Sequence, residues 1–122
     1  MNLEGVEVDW AEELNAAVTV CDTEGIIVYM NRYSIRQFKK RGGEKLLGEN
    51  LLDCHPEPSK TKLKQMLAEH TENMSIAEKD GVKTIFLQTP WRVEGEFRGI
   101  IEISFNLDSK LPISFQQKLI ND

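Results

Sequence analysis

The spacing of apolar residues changes along this chain, and each change predicts a different kind of element. Near the N-terminus, Trp10 and Leu14 follow Asp9, a residue type that caps helices. Their spacing places both apolar side chains on one helical face. We therefore predict a short amphipathic helix over residues 9–16, whose apolar face requires a partner.

Two short apolar runs follow, over residues 18–21 and 26–30, and they predict a pair of β-strands. Gly25 lies between the runs and can adopt the positive φ that closes a hairpin. Asn31 then offers a side chain suited to capping a helix, which is predicted to continue to residue 40.

The middle of the chain carries a helical pattern. Single helical turns are predicted over residues 44–47 and 51–53. The longest helix is predicted over residues 59–70, where one face collects Leu63, Met66, Leu67 and His70.

The remainder predicts an antiparallel meander with strands over residues 74–79, 82–92 and 97–107. Asp80-Gly81 joins the first two strands as a two-residue hairpin. Apolar and polar residues alternate along the last strand, so one of its faces is dry and the other wetter. Pro90 is expected to bend or end regular pairing in the middle strand.

Together these elements predict an α+β fold, with a five-stranded antiparallel sheet and with short helices and one longer helix packed on one face. We expect a cavity between the helices and the sheet. Residues 1–15 form the N-terminal amphipathic segment, 16–108 the domain, and 109–122 a C-terminal tail or linker helix. The aromatic and methionine residues that could line the cavity, or equally belong to the core, are Tyr29, Met66, Phe86 and Trp91.

Composition limits the kinds of partner that the protein is expected to bind. The net charge is −5, which disfavours nucleic acid because phosphate binding requires a basic surface. No apolar run approaches the length that spans a bilayer, and the acidic N-terminus is unlike a secretory signal, so we expect a cytoplasmic protein without membrane contact. The two cysteines, Cys21 and Cys54, are then expected to remain reduced.

Two motifs give the chain a family resemblance. Asp22-x-x-Gly25-Ile26-Ile27-x-Tyr29-Met30-Asn31 resembles the opening of PAS domains. The segment 44–53, Glu-Lys-Leu-Leu-Gly-Glu-Asn-Leu-Leu-Asp, resembles the Glu-x-Leu-(Ile/Leu)-Gly-(Arg/Lys)-x motif that follows in that family. The resemblance covers residues 16–108 and implies the PAS fold.

The chain departs from the family pattern at two places. Many PAS domains end with Asp-(Ile/Val)-Thr, where this chain has Asn106-Leu107-Asp108-Ser109. Flavin photosensors of the family carry Asn-Cys-Arg-Phe after the motif glycine, where this chain has Asn50-Leu51-Leu52-Asp53. The thiol that adds to flavin is missing at that position, so a flavin photoadduct is not expected.

The resemblance implies a sensory or signalling module that binds a small ligand or a protein partner. It would transmit a signal by altered dimer or helix packing, and PAS domains often dimerise through the helix before the first strand. Trp10 and Leu14 are the residues expected to dimerise here. A module for protein interaction alone, with a filled core and no ligand, is the alternative. No catalytic triad order, phosphate-binding glycine loop or HExxH helix occurs, so an enzyme is not expected.

A haem-dependent gas or redox sensor is a further alternative. His55 lies in Cys54-His55-Pro56, at a segment that borders the cavity in the fold, and a neutral imidazole there could be an axial ligand of haem iron. The same text resembles that of some prokaryotic PAS-containing proteins linked to haem binding. Cys54 is a weaker candidate ligand, and His55 could instead simply cap a helix or face solvent. A zinc site from these residues is improbable for want of ligands.

Overall fold

The computed structural model describes residues 2–3, 5–7 and 9–107. The strands are β1 Asn2–Leu3, β2 Val6–Glu7, β3 Ala17–Cys21, β4 Ile27–Met30, β5 Asn73–Lys79, β6 Val82–Val93 and β7 Glu96–Leu107. The α-helices are α1 Arg32–Gln37 and α2 Ser59–Glu69, and short 3-10 helices span Lys39–Arg41, Gly43–Leu46 and Leu51–Cys54. The tail predicted over 109–122 lies outside the described residues.

The main sheet has five antiparallel strands in the order β4-β3-β7-β6-β5, and β1 with β2 forms a separate two-stranded ribbon. The predicted five-stranded α+β fold is therefore confirmed. The turns Asp80-Gly81 and Glu94-Gly95 join the meander, and all of these residues have positive φ. This conformation matches the twist of the flanking strands, which explains the tight connections.

Asn31 is the fully buried anchor between β3, α1 and the N-terminal segment. Its Oδ1 accepts from the backbone N–H groups of Ser34 at 2.9 Å and Val18 at 3.0 Å. Its Nδ2 donates to the carbonyls of Ala11 and Ala16, both at 2.8 Å. The predicted N-cap is thus confirmed, and the same amide also holds the chain that precedes the sheet.

The helix predicted over residues 9–16 is wrong, because that segment forms only a turn over residues 10–13. Asp9 does accept from the Glu12 N–H, at 3.4 Å, as a cap would. The carbonyl of Ala11 accepts from Leu14 N–H in the turn and from Asn31 Nδ2. Tertiary hydrogen bonds to Asn31 therefore override a helix that is too short to be stable alone.

Of the two outcomes expected at Pro90, a bend or an end of regular pairing, the pairing of β6 with β7 excludes the second, because Pro90 pairs with Ile100. On its other side β5 pairs with β6 only as far as Gln88. Pro90 therefore lies where β6 is an edge, and its missing N–H removes no bond to β5. The irregularity comes one residue later, between Trp91 and Arg92.

The core lies between β3, β4, the start of β7 and the helical layer. Its buried members are Cys21, Ile27, Met30, Leu51, Leu63, Met66 and Ile100. Leu63 and Met66 bring α2 into this cluster, as the predicted helical face requires. No residue of β5 or β6 belongs to the buried cluster, so the two halves of the sheet are covered differently.

Candidate functional site

Strand register separates the two sides of the sheet. Thr19 pairs with Glu102, and Glu102 pairs with Gln88, so these side chains share one side. The Thr19 hydroxyl lies 2.6 Å from the Ser34 hydroxyl on α1, which identifies this as the helix-facing side. Gln37 of α1 donates to Ser104 on the same side at 3.4 Å.

A hydrogen-bonded row of polar side chains crosses the helix-facing side, from β5 through β6 to β7. Asn73 Nδ2 donates to Gln88 Oε1 at 3.1 Å. Gln88 Nε2 donates in turn to Glu102 Oε2 at 2.8 Å. The register continues this rung to Thr19 on β3. We call Thr19, Glu102, Gln88 and Asn73 the polar row.

Glu102 is the chemically distinctive member of the polar row, since its residue is only 7% exposed. No ion pair of the described residues involves Glu102. Its Oε1 has no hydrogen-bond partner there, yet every fully enclosed side-chain oxygen or nitrogen in the described part has one. Oε1 is therefore open to solvent, on a carboxylate that is otherwise largely withdrawn from water.

The polar row runs from the covered half of the sheet to its open half. Glu102 and Thr19 are buried, whereas Gln88 and Asn73 are half-buried and the rest of β5 is exposed. Phe86 and Pro90 precede and follow Gln88 on the same side of β6. The result is a strip of the sheet with hydrogen-bonding groups along its middle and the apolar side chains of Phe86 and Pro90 on either side of Gln88.

The residues predicted to line a cavity are not brought together. Met66 is 3% exposed in the core, and Phe86 lies on the helix-facing side beside the polar row. Tyr29 pairs with Val20 on the outer side of the sheet, and its hydroxyl donates to Glu12 at 2.7 Å. Trp91 also lies on the outer side and donates from Nε1 to the Cys21 carbonyl at 3.1 Å.

A one-residue bulge at Arg98 changes the alternation of β7, so that the Phe97 side chain faces the helices. Trp91 pairs with Gly99 and Arg92 with Phe97, so one extra residue lies in β7 between these pairs. Phe97 consequently packs against the core, and His70 stacks on its ring with a centroid distance of 3.7 Å. His70 itself is exposed and ends α2 in the left-handed conformation.

His55 is half-buried at the end of the Leu51–Cys54 helix. Its Nδ1 lies 2.8 Å from the Leu51 carbonyl, which can only accept, so Nδ1 carries a proton, and in the neutral ring Nε2 then holds the lone pair. This bond caps the short helix. It is also the arrangement that metal-ligating histidines usually have, so the donor chemistry fits one axial haem ligand.

The cysteines are both free, and only one is reachable. Burial raises the pKa of the Cys21 thiol, which makes Cys21 a packing residue. Cys54 is half-buried, and its Sγ lies 3.8 Å from the Asn50 carbonyl. In the described ranges, no cluster of histidine, cysteine and carboxylate side chains is arranged for a metal ion.

Two open clefts lie on the exposed side of α1. One, of about 460 Å³, is lined by residues of the N-terminal turn and α1, including Leu14, Arg32 and Tyr33. The other, of about 410 Å³, lies between α1 and Asn106 of β7. Neither is lined by His55 or by the polar row. Trp10 and Leu14, the predicted dimerisation residues, are 50% and 38% exposed.

The outer side of the sheet is apolar where it reaches β5. Met74 and Ile76 are 69% and 63% exposed, and Phe105 is 40% exposed. Half-buried aliphatic residues connect them across β6 and β7, namely Ile85, Leu87, Ile101 and Ile103. Within the described residues, no helix has the length and apolar character needed to cross a bilayer.

Sequence reasoning missed the polar row. Its members belong to three strands far apart in the chain, and no short motif contains them. The available signal was the alternation in β7, where Glu102 and Ser104 interrupt isoleucines. Combined with the hairpin register set by Asp80-Gly81 and Glu94-Gly95, that alternation would have aligned Gln88 with Glu102.

Comparison with known proteins agrees with the fold. The model of a family described as PAS fold matches residues 11–107. No curated protein matches the sequence. One similar solved structure is the Aer2 receptor of Vibrio cholerae, described as a dual PAS-heme oxygen sensor, with 18% identity, a TM-score of 0.61, and coverage of 77% of this chain and 96% of that one.

Two further structures are similar. The PAS domain of Bordetella pertussis BvgS has 16% identity and a TM-score of 0.60, with 91% of this chain and 86% of that one covered. The VqmA dimer of Vibrio cholerae, a LuxR-type receptor, has 20% identity and a TM-score of 0.59, with 82% of this chain covered. The match spans 51% of the VqmA chain. At these identities the likeness concerns the fold alone.

Proposed function

Because this chain belongs to the PAS fold family, we propose that it is a sensory or signalling module that binds a small molecule on the helix-facing side of its sheet. The observation that carries the proposal is the polar row, which presents directional hydrogen-bonding groups beside the apolar side chains of Phe86 and Pro90. Small-molecule sites combine these features. Similar folds include VqmA, which has been solved with DPO bound.

The signal would leave through α1. Thr19 of the polar row holds α1 through Ser34, and Ser104 beside the row holds Gln37. A ligand that binds one arrangement of these contacts better than another shifts the population of α1 packing. The change would reach the N-terminal turn, because Arg32 of α1 contacts Glu12 at 3.3 Å.

Native mass spectrometry of the purified protein tests the binding function. We expect a retained small molecule in wild type, and its loss in Ser75→Trp, because Ser75 is exposed one rung from the polar row and the tryptophan ring would cover the row. Met74→Trp places the same bulk on the outer side and should retain the ligand. Retention in Ser75→Trp would contradict the proposed site, and no retained mass in wild type would count against the function.

A haem sensor is a second candidate, favoured by the open Nε2 of His55. Bound haem would supply reversible gas binding or electron transfer at its iron. Haem-supplemented protein should then show a Soret band that His55→Ala abolishes and Cys54→Ala leaves unchanged. A colourless sample, or a band that persists in His55→Ala, eliminates this candidate.

An interaction module is a third candidate, favoured by exposed apolar residues on two surfaces, Trp10 with Leu14 and Met74 with Ile76. A homodimer through the N-terminal turn predicts monomers for Trp10→Glu and Leu14→Glu in sedimentation equilibrium. A dimer that survives both changes excludes that interface. Neither this candidate nor the sensory module requires a catalytic step.

A further inference from the structure

Glu102 holds the only carboxylate in the polar row, and no described cation compensates it. A carboxylate withdrawn from water is costly unless a charge partner or several hydrogen bonds replace the lost solvation. Gln88 supplies one hydrogen bond to Oε2. Oε1 has no partner among the described residues and is not fully enclosed, so a bound molecule or water must satisfy it.

Surrounding groups favour a positively charged molecule. The cations on this side of β5 and β6 lie away from the polar row. Arg92 is four residues from Gln88 and Lys79 is six residues from Asn73, which separates them from the row by about 13 and 20 Å along their strands. Gln88 Nε2 and Asn73 Oδ1 add a donor hydrogen and an acceptor that the row does not use internally.

The apolar side chains beside the polar row indicate the rest of the ligand. Phe86 and Pro90 lie two residues before and after Gln88 on the same side of β6, and both are half-buried. These surfaces suit an aliphatic or aromatic group attached to the charged head. Phe86 can in addition contact a cation through its ring face.

From this geometry we infer that the site takes a small organic ammonium or amidinium ion with an apolar substituent, whose N–H groups donate to Glu102 Oε1. The inference rests on the proposed function and specifies its ligand class. It assigns Glu102 as the residue that selects a positive charge, and Gln88 as the residue that positions the Glu102 carboxylate.

Three probes of similar shape test the charge selection, namely benzylamine, benzyl alcohol and benzoate at neutral pH. We expect benzylamine alone to raise the melting temperature and to shift the side-chain amide NMR signals of Gln88 and Asn73. In Glu102→Gln the affinity for benzylamine should fall by about tenfold or more, because a charge-assisted hydrogen bond is lost. Glu78→Gln removes the same charge from the outer side of β5 and should leave the affinity unchanged.

Equal or tighter binding of benzoate or benzyl alcohol overturns the inference, as does unchanged affinity in a folded Glu102→Gln variant. Binding of none of the three probes also overturns it. A retained native ligand that is neutral or anionic would refute the charge selection and leave the proposed function standing. If no ligand is retained and no probe binds, the charge selection and the proposed function are both refuted. The two failures can therefore be distinguished.

Discussion

Along the second half of β7, the two sides of the sheet reverse the usual distribution of polar and apolar residues, although the first half carries the apolar core toward the helices. On β7, Glu102 and Ser104 face the helices and are 7% and 1% exposed. Phe105 on the outer side is 40% exposed. Antiparallel sheets covered on one face usually turn apolar residues toward the cover. At Glu102 and Ser104 the covered side instead carries hydrogen-bonded polar groups next to the apolar core, and the outer side carries Ile101, Ile103 and Phe105.

The two sides therefore suit different kinds of contact. Every fully enclosed polar side-chain atom in the described part has a partner, so the polar side is built and specific. The outer side has no such directional groups near Met74 and Ile76, and it gains stability from any apolar surface that covers it. The polar row therefore suits the proposed ligand binding, and the outer side suits the proposed association with another surface.

Gly99 gives the largest predicted effect, because the backbone of β7 approaches that of β3 most closely there. A Cβ at Gly99 would lie 1.9 Å from the Cys21 carbonyl oxygen, and its φ is +143°. We expect Gly99→Ala to lower the free energy of unfolding by about 4 kcal/mol or more, since β3 and β7 must separate to admit the methyl group. Urea denaturation followed by circular dichroism measures the loss.

Gly95→Ala is the matched control for this prediction. Gly95 also has positive φ, +83°, but nothing lies within 4 Å of its added Cβ. Its loss should be only about 1 kcal/mol, the penalty for the left-handed conformation. Similar losses in the two variants would show that the contact with Cys21 does not constrain the sheet.

Substitutions at Gln88 and Leu87, neighbours on β6, compare how much each side of the sheet contributes to stability. Gln88→Leu leaves Glu102 Oε2 and Asn73 Nδ2 without their partners, so we expect a loss of about 2 kcal/mol despite the added apolar volume. Leu87→Gln changes the half-buried neighbour on the outer side and should lower stability by less, about 1 kcal/mol. Thermal and urea unfolding of both variants gives the comparison.

A larger loss for Leu87→Gln than for Gln88→Leu would contradict this ranking. It would mean that another surface covers the outer side in solution. Repeating the measurement at several protein concentrations then identifies the source, because a covering second copy makes the loss depend on concentration.

Local signals were sufficient to predict most of the fold. Asp80-Gly81 and Gly25 specify tight turns, and Asn31 specifies a helix start, so five strands and two helices follow from short stretches of sequence. The helix over 9–16 could not be excluded in this way. Its failure depends on Asn31, which bonds Ala11 and Ala16 from a distant position in the chain.

The site was less predictable than the fold for a similar reason. Glu102 in sequence resembles a residue on the wet face of an amphipathic strand, and its burial depends on which side the helices cover. Residue type alone predicts that Tyr29 and Trp91 line the cavity, whereas strand register places them on the outer side. Side assignment requires tertiary structure, because alternation is symmetric with respect to the two faces.

Substitutions at Ile76 and Ala77, neighbours on β5, test whether the outer side of the sheet forms a dimer interface. Ile76→Lys introduces a charge on the outer side, and Ala77→Lys introduces one on the helix-facing side. If the outer side forms the dimer, Ile76→Lys should weaken dimerisation by about tenfold or more, since a buried lysine is poorly tolerated at an apolar interface. Ala77→Lys should leave it unchanged. Sedimentation equilibrium measures both, and equal effects would remove the outer side as an interface.

Tyr29 gives the smallest effect, at the edge of the outer side. Burial, with the hydrogen bond to Glu12 and its charge, raises the pKa of the Tyr29 phenol above its ordinary value. The unfolded chain therefore ionises first, so the stability from this group is complete below about pH 10 and declines as the pH rises further. Urea unfolding between about pH 8 and 11 should show a shallower decline for Tyr29→Phe than for wild type or Tyr33→Phe. Parallel declines in all three proteins would show that the Tyr29–Glu12 contact does not hold the N-terminal turn against the sheet.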